Sequence, residues 1–123
     1  MQENYELVKF VDGSFELEVN VSPVEETVWL TQEQIAVLFD TARSTVAYHI
    51  GNIMRNNEVA ESTSVEFFDR SIRHRPSKYY NLDVILAVGY KVNSKRGVTF
   101  RKWATSVLKQ YSSPITLIPM KGI

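Results

Sequence analysis

Residues 31–55, Thr-Gln-Glu-Gln-Ile-Ala-Val-Leu-Phe-Asp-Thr-Ala-Arg-Ser-Thr-Val-Ala-Tyr-His-Ile-Gly-Asn-Ile-Met-Arg, constrain this chain more than any other stretch. They read as two short helices joined by a tight turn. Thr31, followed three residues later by Gln34, has the spacing of a capping box, in which two orphan backbone donors are satisfied reciprocally. Ile35, Leu38 and Phe39 form an apolar stripe, and Ala36 is small where the two helices must approach. Asp40 falls at the turn, where Gly, Asn and Asp best tolerate a left-handed backbone. The second helix carries Val46, Ile50, Ile53 and Met54 at i, i+4, i+7 and i+8, which buries one face. Arg43, Ser44, Ala47, Tyr48, Gly51, Asn52 and Arg55 are left on or near the other face. A helix pair of this form is the helix-turn-helix arrangement that lays one helix in a DNA groove.

Two positions weaken the pattern. Ala42 stands where the second helix favours a Ser, Thr, Asp or Asn cap, a loss typically worth ~1 kcal/mol. Gly51, on the outward face, costs up to ~1 kcal/mol of helix propensity against Ala. The pair is also electrically neutral, with Arg43 and Arg55 against Glu33 and Asp40. Phosphate neutralisation by Lys and Arg supplies much of protein–DNA affinity, so these two helices alone would bind DNA poorly.

The missing charge lies further along. Residues 1–69 hold three basic and thirteen acidic residues, a balance of −10, whereas residues 70–123 hold eleven basic residues and the single acid Asp83. Such a split implies either an anionic partner for the basic half or electrostatic docking between the halves. Arg70, Arg73, Arg75 and Lys78 fall on a second expected hairpin, with His74 among them. Lys91, Lys95, Arg96, Arg101 and Lys102 gather around the start of the last expected helix.

Around the helix pair the chain reads as a mixture of strands and helices. Phe15, Leu17, Val19 and Val21 alternate with Glu16, Glu18 and Asn20, so residues 5–21 form a hairpin turning at Asp12-Gly13. Val28-Trp29-Leu30 is a short strand leading into the first helix. Residues 64–73 and 78–80 are strands about a turn at His74-Arg75-Pro76-Ser77, a wing over 64–80. Asn81 caps a helix from Leu82 to Lys91. A final helix over 95–111 shows Phe100, Trp103, Ala104, Val107, Leu108 and Tyr111 on one wide apolar face. Residues 112–123 read as an irregular tail. The expected fold is therefore α+β: one domain over 1–111 with a winged helix-turn-helix core, an N-terminal β-hairpin and two C-terminal helices.

Chemistry other than binding has little support. His49 and His74 have no neighbour arranged as nucleophile or orienting acid, and Ser44 and His49, five apart, do not face one another on a helix. No Gly-rich phosphate loop, metal-ligand spacing or cysteine is present, so the expectation is a non-enzyme without cofactor or metal. Tyr79, Tyr80 and Tyr90 could stack on bases, but tyrosines beside a strand more often belong to the core. The acidic N-terminus lacks a signal-peptide pattern, and the longest apolar run, Val84 to Tyr90, falls far below the ~20 residues of a bilayer span. The chain is expected to be cytoplasmic, away from membranes.

The chain also resembles a known family. Val28-Trp29-Leu30-Thr31-Gln32, Ile35-Ala36, Leu38-Phe39, Arg43-Ser44-Thr45-Val46, His49-Ile50 and Asn52-Ile53 look like the N-terminal domain of RhuM-type proteins. Tyr79-Tyr80-Asn81-Leu82-Asp83, the block Val88-Gly89-Tyr90-Lys91-Val92-Asn93-Ser94-Lys95-Arg96, Phe100-Arg101 and Trp103-Ala104 continue the likeness. The leading hairpin fits as well, so the resemblance spans about residues 5–111. It implies a bacterial, virulence-associated DNA-binding module, often carried on mobile or prophage-like DNA and sometimes joined to Fic-type domains. Relatives are usually longer, which implies a truncated product or an N-terminal domain. They usually carry a polar residue at Ala42 and a basic one at Gly51, and many have Arg at Tyr48.

The reading that joins these observations is a non-catalytic regulator that binds double-stranded DNA. Arg43, Ser44, Ala47, Tyr48 and Asn52 would face base edges or the adjacent backbone, with Arg55 beside them. Arg70, Arg73, Arg75 and Lys78 would contact phosphates. A homodimer is expected by analogy. The alternative is a protein–protein interaction module that keeps the same fold as scaffold.

Overall fold

A computed structural model of the chain describes residues 6–60, 65–68 and 77–112. The architecture is α+β: a five-stranded antiparallel sheet in the order β1-β2-β3-β5-β4, with helices packed on it. The elements run β1 (Glu6–Asp12), β2 (Phe15–Ser22), β3 (Thr27–Thr31), α1 (Gln32–Leu38), α2 (Arg43–Arg55), β4 (Val65–Phe68), β5 (Ser77–Asn81), α3 (Leu82–Lys91) and α4 (Lys95–Ser112). The first hairpin, the helix pair and the two C-terminal helices are found with bounds shifted by a residue or two. Of the second expected hairpin, Val65–Phe68 and Ser77–Asn81 are antiparallel strands, so Ser77, expected in the turn, belongs to β5, while positions 69–76 of the expected strand and turn lie outside the described residues.

One correction concerns the first hairpin. Asp12 is not a turn residue but the last rung of the ladder, paired with Phe15, and the loop is Gly13-Ser14. Gly13 alone has positive φ there (66°), the pattern of a turn with Gly at its first central position.

Strand β5 is the pivot of the sheet. It pairs with β3 through Trp29↔Asn81, Leu30↔Tyr80 and Thr31↔Tyr79, and on its other edge with β4. Both β3 and β5 end in caps. The Thr31 hydroxyl accepts from the Gln34 backbone N–H at 3.1 Å, and the Gln34 carboxamide oxygen accepts from the Thr31 N–H at 2.8 Å. This is the capping box read from the sequence. Asn81 Oδ1 accepts from Val84 N–H at 3.2 Å, while Thr27 Oγ1 accepts from Leu82 N–H at 3.1 Å. The start of α3 is thus held by two strands at once.

Helices α1, α2 and α3 end alike. Asp40, Asn57 and Asn93 take positive φ (53°, 55° and 57°), and the residue after each donates back across five residues. Thr41 N–H bonds the Ala36 carbonyl, Glu58 the Ile53 carbonyl and Ser94 the Gly89 carbonyl, each at 3.0 Å. These are Schellman closures that satisfy orphan carbonyls, with Asp or Asn at the position usually taken by Gly.

The core lies between the sheet and the helices. Phe10 of β1, Val19 and Val21 of β2, and Val28 and Leu30 of β3 meet Ile35, Leu38, Val46, Ile53, Val84, Ile85, Val88 and Phe100, all fully buried. Phe10 stacks edge-on against Phe100 and Trp103, with ring centroids 5.2 and 5.3 Å apart, which docks α4 on the hairpin. Tyr111, expected on that buried face, is 36% exposed, with Glu6 beside its hydroxyl. Phe39, at the end of α1, lies against Gly89 of α3. A Cβ at Gly89 would sit 2.8 Å from the Phe39 ring, so only glycine lets the ring seat there.

Candidate nucleic-acid interface

The apolar periodicity of α2 decides what it presents. Val46, Ile50 and Ile53 are buried against the core and Met54 is half-buried. Arg43, Ser44, Ala47, Tyr48 and Arg55 are exposed, Tyr48 by 64%, and Asn52 is half-buried. Ser44, Tyr48, Gly51 and Arg55 recur at i, i+4, i+7 and i+11, a straight ridge opposite the buried stripe. The Schellman turn at Asp40 fixes where α2 departs from α1. Gln32 strengthens the join, its side-chain N–H donating to the Arg43 carbonyl at 3.4 Å. Ala42 makes no side-chain cap, as its residue type dictates.

The structure brings together residues that the sequence keeps 35 positions apart. Thr31, Gln32, Glu33, Arg43, Ser77 and Lys78 line one open groove between the starts of α1, α2 and β5. The β3–β5 pairing is the cause, because it sets Tyr79 beside Thr31, the cap of α1. Gln32 and Ser77, which were not expected as contact residues, belong to the groove. Arg70, Arg73 and Arg75 lie outside the described residues.

At the other end of α2, Arg55 Nη2 donates to Asn52 Oδ1 at 2.5 Å. The guanidinium lies over Gly51, where an added Cβ would come 3.4 Å from Nη1. Gly51, read from sequence as a weak point in the helix, is the floor on which Arg55 lies.

The basic cluster after residue 90 divides. Arg96 is turned inward: Nε donates to Asp12 Oδ2 at 3.2 Å, Nη1 donates to the Leu38 carbonyl at 2.9 Å, and the guanidinium carbon stands 4.0 Å from the Phe15 ring centre. Lys91 pairs with Glu58 at 3.3 Å, which ties the ends of α3 and α2 together. Lys95, Arg101 and Lys102 are exposed on α4. Tyr79 and Tyr80 are buried, so neither presents a stacking surface, and burial pushes the Tyr80 hydroxyl above its ordinary pKa of 10.0. Tyr90 alone of the three is exposed, by 86%.

No described helix is long and apolar enough to cross a membrane. Neither a curated protein nor a solved structure matches the chain. The family model described as "Virulence protein RhuM family" matches residues 53–115, from the last turn of α2 past the end of α4. That match covers just over half of the 123 residues, and the chain belongs to the Virulence protein RhuM family.

Proposed function

We propose that this chain is a non-catalytic module that binds double-stranded DNA as a regulator, through a winged helix-turn-helix with α2 as recognition helix. The observation that carries the reading is the shared groove of Arg43 and Lys78, one at the start of α2 and the other on β5. A duplex whose major groove received the outward ridge of α2 would bring a backbone phosphate to that groove. The order β3-α1-α2-β4-β5, with β5 between β3 and β4, supports the same reading, since a strand, two helices and a returning hairpin make up a winged helix. Helix α2, at 13 residues, is about 20 Å long, enough to lie along a major groove.

Fluorescence anisotropy with a random-sequence duplex tests this. Affinity should fall steeply between about 50 and 200 mM salt, because each phosphate contact releases a counterion. Arg43→Ala should weaken binding, whereas Lys9→Ala should not, since Lys9 pairs with Glu16 at 3.4 Å on the distant hairpin. Absence of binding at micromolar protein and low salt would sink the proposal. One observation favours a second reading, a protein-binding module on the same scaffold. The ridge of α2 ends in an arginine already engaged by Asn52 and has an exposed aromatic, Tyr48, at its centre.

A further inference from the structure

If α2 enters a major groove, its outward chemistry selects among bases. We propose that this face reads the C5-methyl group of thymine and gives the module a preference for A·T-rich duplex; the inference rests on the DNA-binding reading above. Side chains distinguish bases in the major groove by a short code: Arg or Lys for guanine, Asn or Gln for adenine, a carboxylate for cytosine, and an apolar group for the thymine methyl. Each can be checked against α2.

The guanine readers stand at the two ends of α2, away from the middle of its outward ridge. Arg43 lines the groove shared with Lys78, at the edge of the ridge. Arg55, in the last turn, spends an N–H on Asn52 and lies back over Gly51. That same bond engages the adenine reader, since a bidentate Asn–adenine pair would compete with Arg55 for the orientation of the Asn52 carboxamide. Cytosine has no reader, since residues 43–55 contain no Asp or Glu. Three exposed groups remain on the N-terminal half of α2, the part that contacts bases in helix-turn-helix complexes. They are the Ser44 hydroxyl, the Ala47 methyl and the Tyr48 ring. At i, i+3 and i+4 they form one patch, and two of the three are apolar. Ser44 bonds either base of a pair and discriminates little. The thymine methyl is the base feature that Ala47 and Tyr48 fit.

The test uses three duplexes of one length: alternating dA·dT, the same duplex with deoxyuridine for thymidine, and alternating dG·dC. Deoxyuridine deletes only the methyl and keeps every hydrogen-bonding group. Anisotropy should rank dA·dT tightest, with deoxyuridine weakening binding about fourfold for each methyl that α2 covers. Tyr48→Ala should shrink the thymine–uracil difference and leave the salt slope unchanged, because the phosphate contacts remain. Equal affinity for the thymine and uracil duplexes would overturn the inference while DNA binding stood. A thymine–uracil difference that persists unchanged when Ala47→Gly and Tyr48→Ala are combined would also overturn it, by assigning the effect to the duplex. Failure to bind all three would remove the DNA-binding reading and this inference together.

Discussion

The Arg96 guanidinium reaches 58 residues back along the chain and donates to the main-chain carbonyl of Leu38 at 2.9 Å. That carbonyl belongs to the last turn of α1, where helix carbonyls lack intrahelical partners. The same side chain holds Asp12 and covers the Phe15 ring, so one residue of α4 fastens both the hairpin and the helix that precedes α2.

Arg96→Ala should therefore lower unfolding free energy by about 2 kcal/mol, in the range for hydrogen bonds to a charged group. Arg96→Lys should recover little, because an ammonium cannot bond two acceptors in a plane and cover a ring at once. Urea denaturation measures both. A Lys variant as stable as the parent would show that charge alone matters here.

Gly89 and Gly97 make a contrasting pair. At Gly89 an added methyl meets the buried Phe39 ring at 2.8 Å, whereas at Gly97 the nearest Phe39 atom is 3.8 Å away. Gly89→Ala should destabilise by about 1–3 kcal/mol through overpacking. Gly97→Ala should stabilise by up to about 1 kcal/mol, the helix propensity difference. Thermal melts of the two variants should move in opposite directions.

Ala42 offers a gain. Ala42→Ser should add ~1 kcal/mol by giving α2 the side-chain cap it lacks. Ala42→Asp should stabilise similarly yet weaken duplex binding, since it sets a carboxylate next to Arg43. Melting curves and anisotropy on the same samples separate the two effects, and equal duplex affinity of the Ser and Asp variants would place the DNA elsewhere.

Alkaline pH should expose the tyrosines. Burial raises the Tyr80 hydroxyl above 10.0, and at Tyr111 the hydrogen bond to Glu6 leads, with burial and the Glu6 charge adding to it. A raised folded-state pKa favours the protonated fold, so this stability is complete below pH 10 and is lost as pH rises through the folded values. The urea midpoint should drop above about pH 10. The drop should be smaller in Tyr80→Phe and in Tyr111→Phe. An undiminished drop in the double variant would assign it to other groups.

What the sequence made legible was local. The helix pair followed from its 3.6-residue periodicity and from Thr31 and Gln34, which need only each other. Asn81 as a cap and Asp40 in a left-handed turn were legible for the same reason. Contacts that depend on the tertiary fold were not. The hairpin turn was misplaced by one residue because Asp12 stays in the strand, paired with Phe15 and bonded to Arg96. Arg96 itself carries the same charge as its exposed neighbours Lys95 and Arg101, and only the fold turns it inward. Gly51 read as a propensity cost because the i, i+4 spacing puts Arg55 on the same ridge but does not select the rotamer that lays its guanidinium back over the glycine and onto Asn52. The groove of Arg43 and Lys78 exists only once β3 and β5 pair.

That pairing also bears on how the matched segment is to be handled at the bench. A fragment cut at residue 53 would keep β5 and α3 but discard β3, which supplies β5's second row of backbone partners, and Phe39, which fills the notch at Gly89. Such a fragment would present an unpaired strand edge, the template on which chains aggregate. Expression should therefore start ahead of β1: the stretch that marks membership of the family is not the unit that folds.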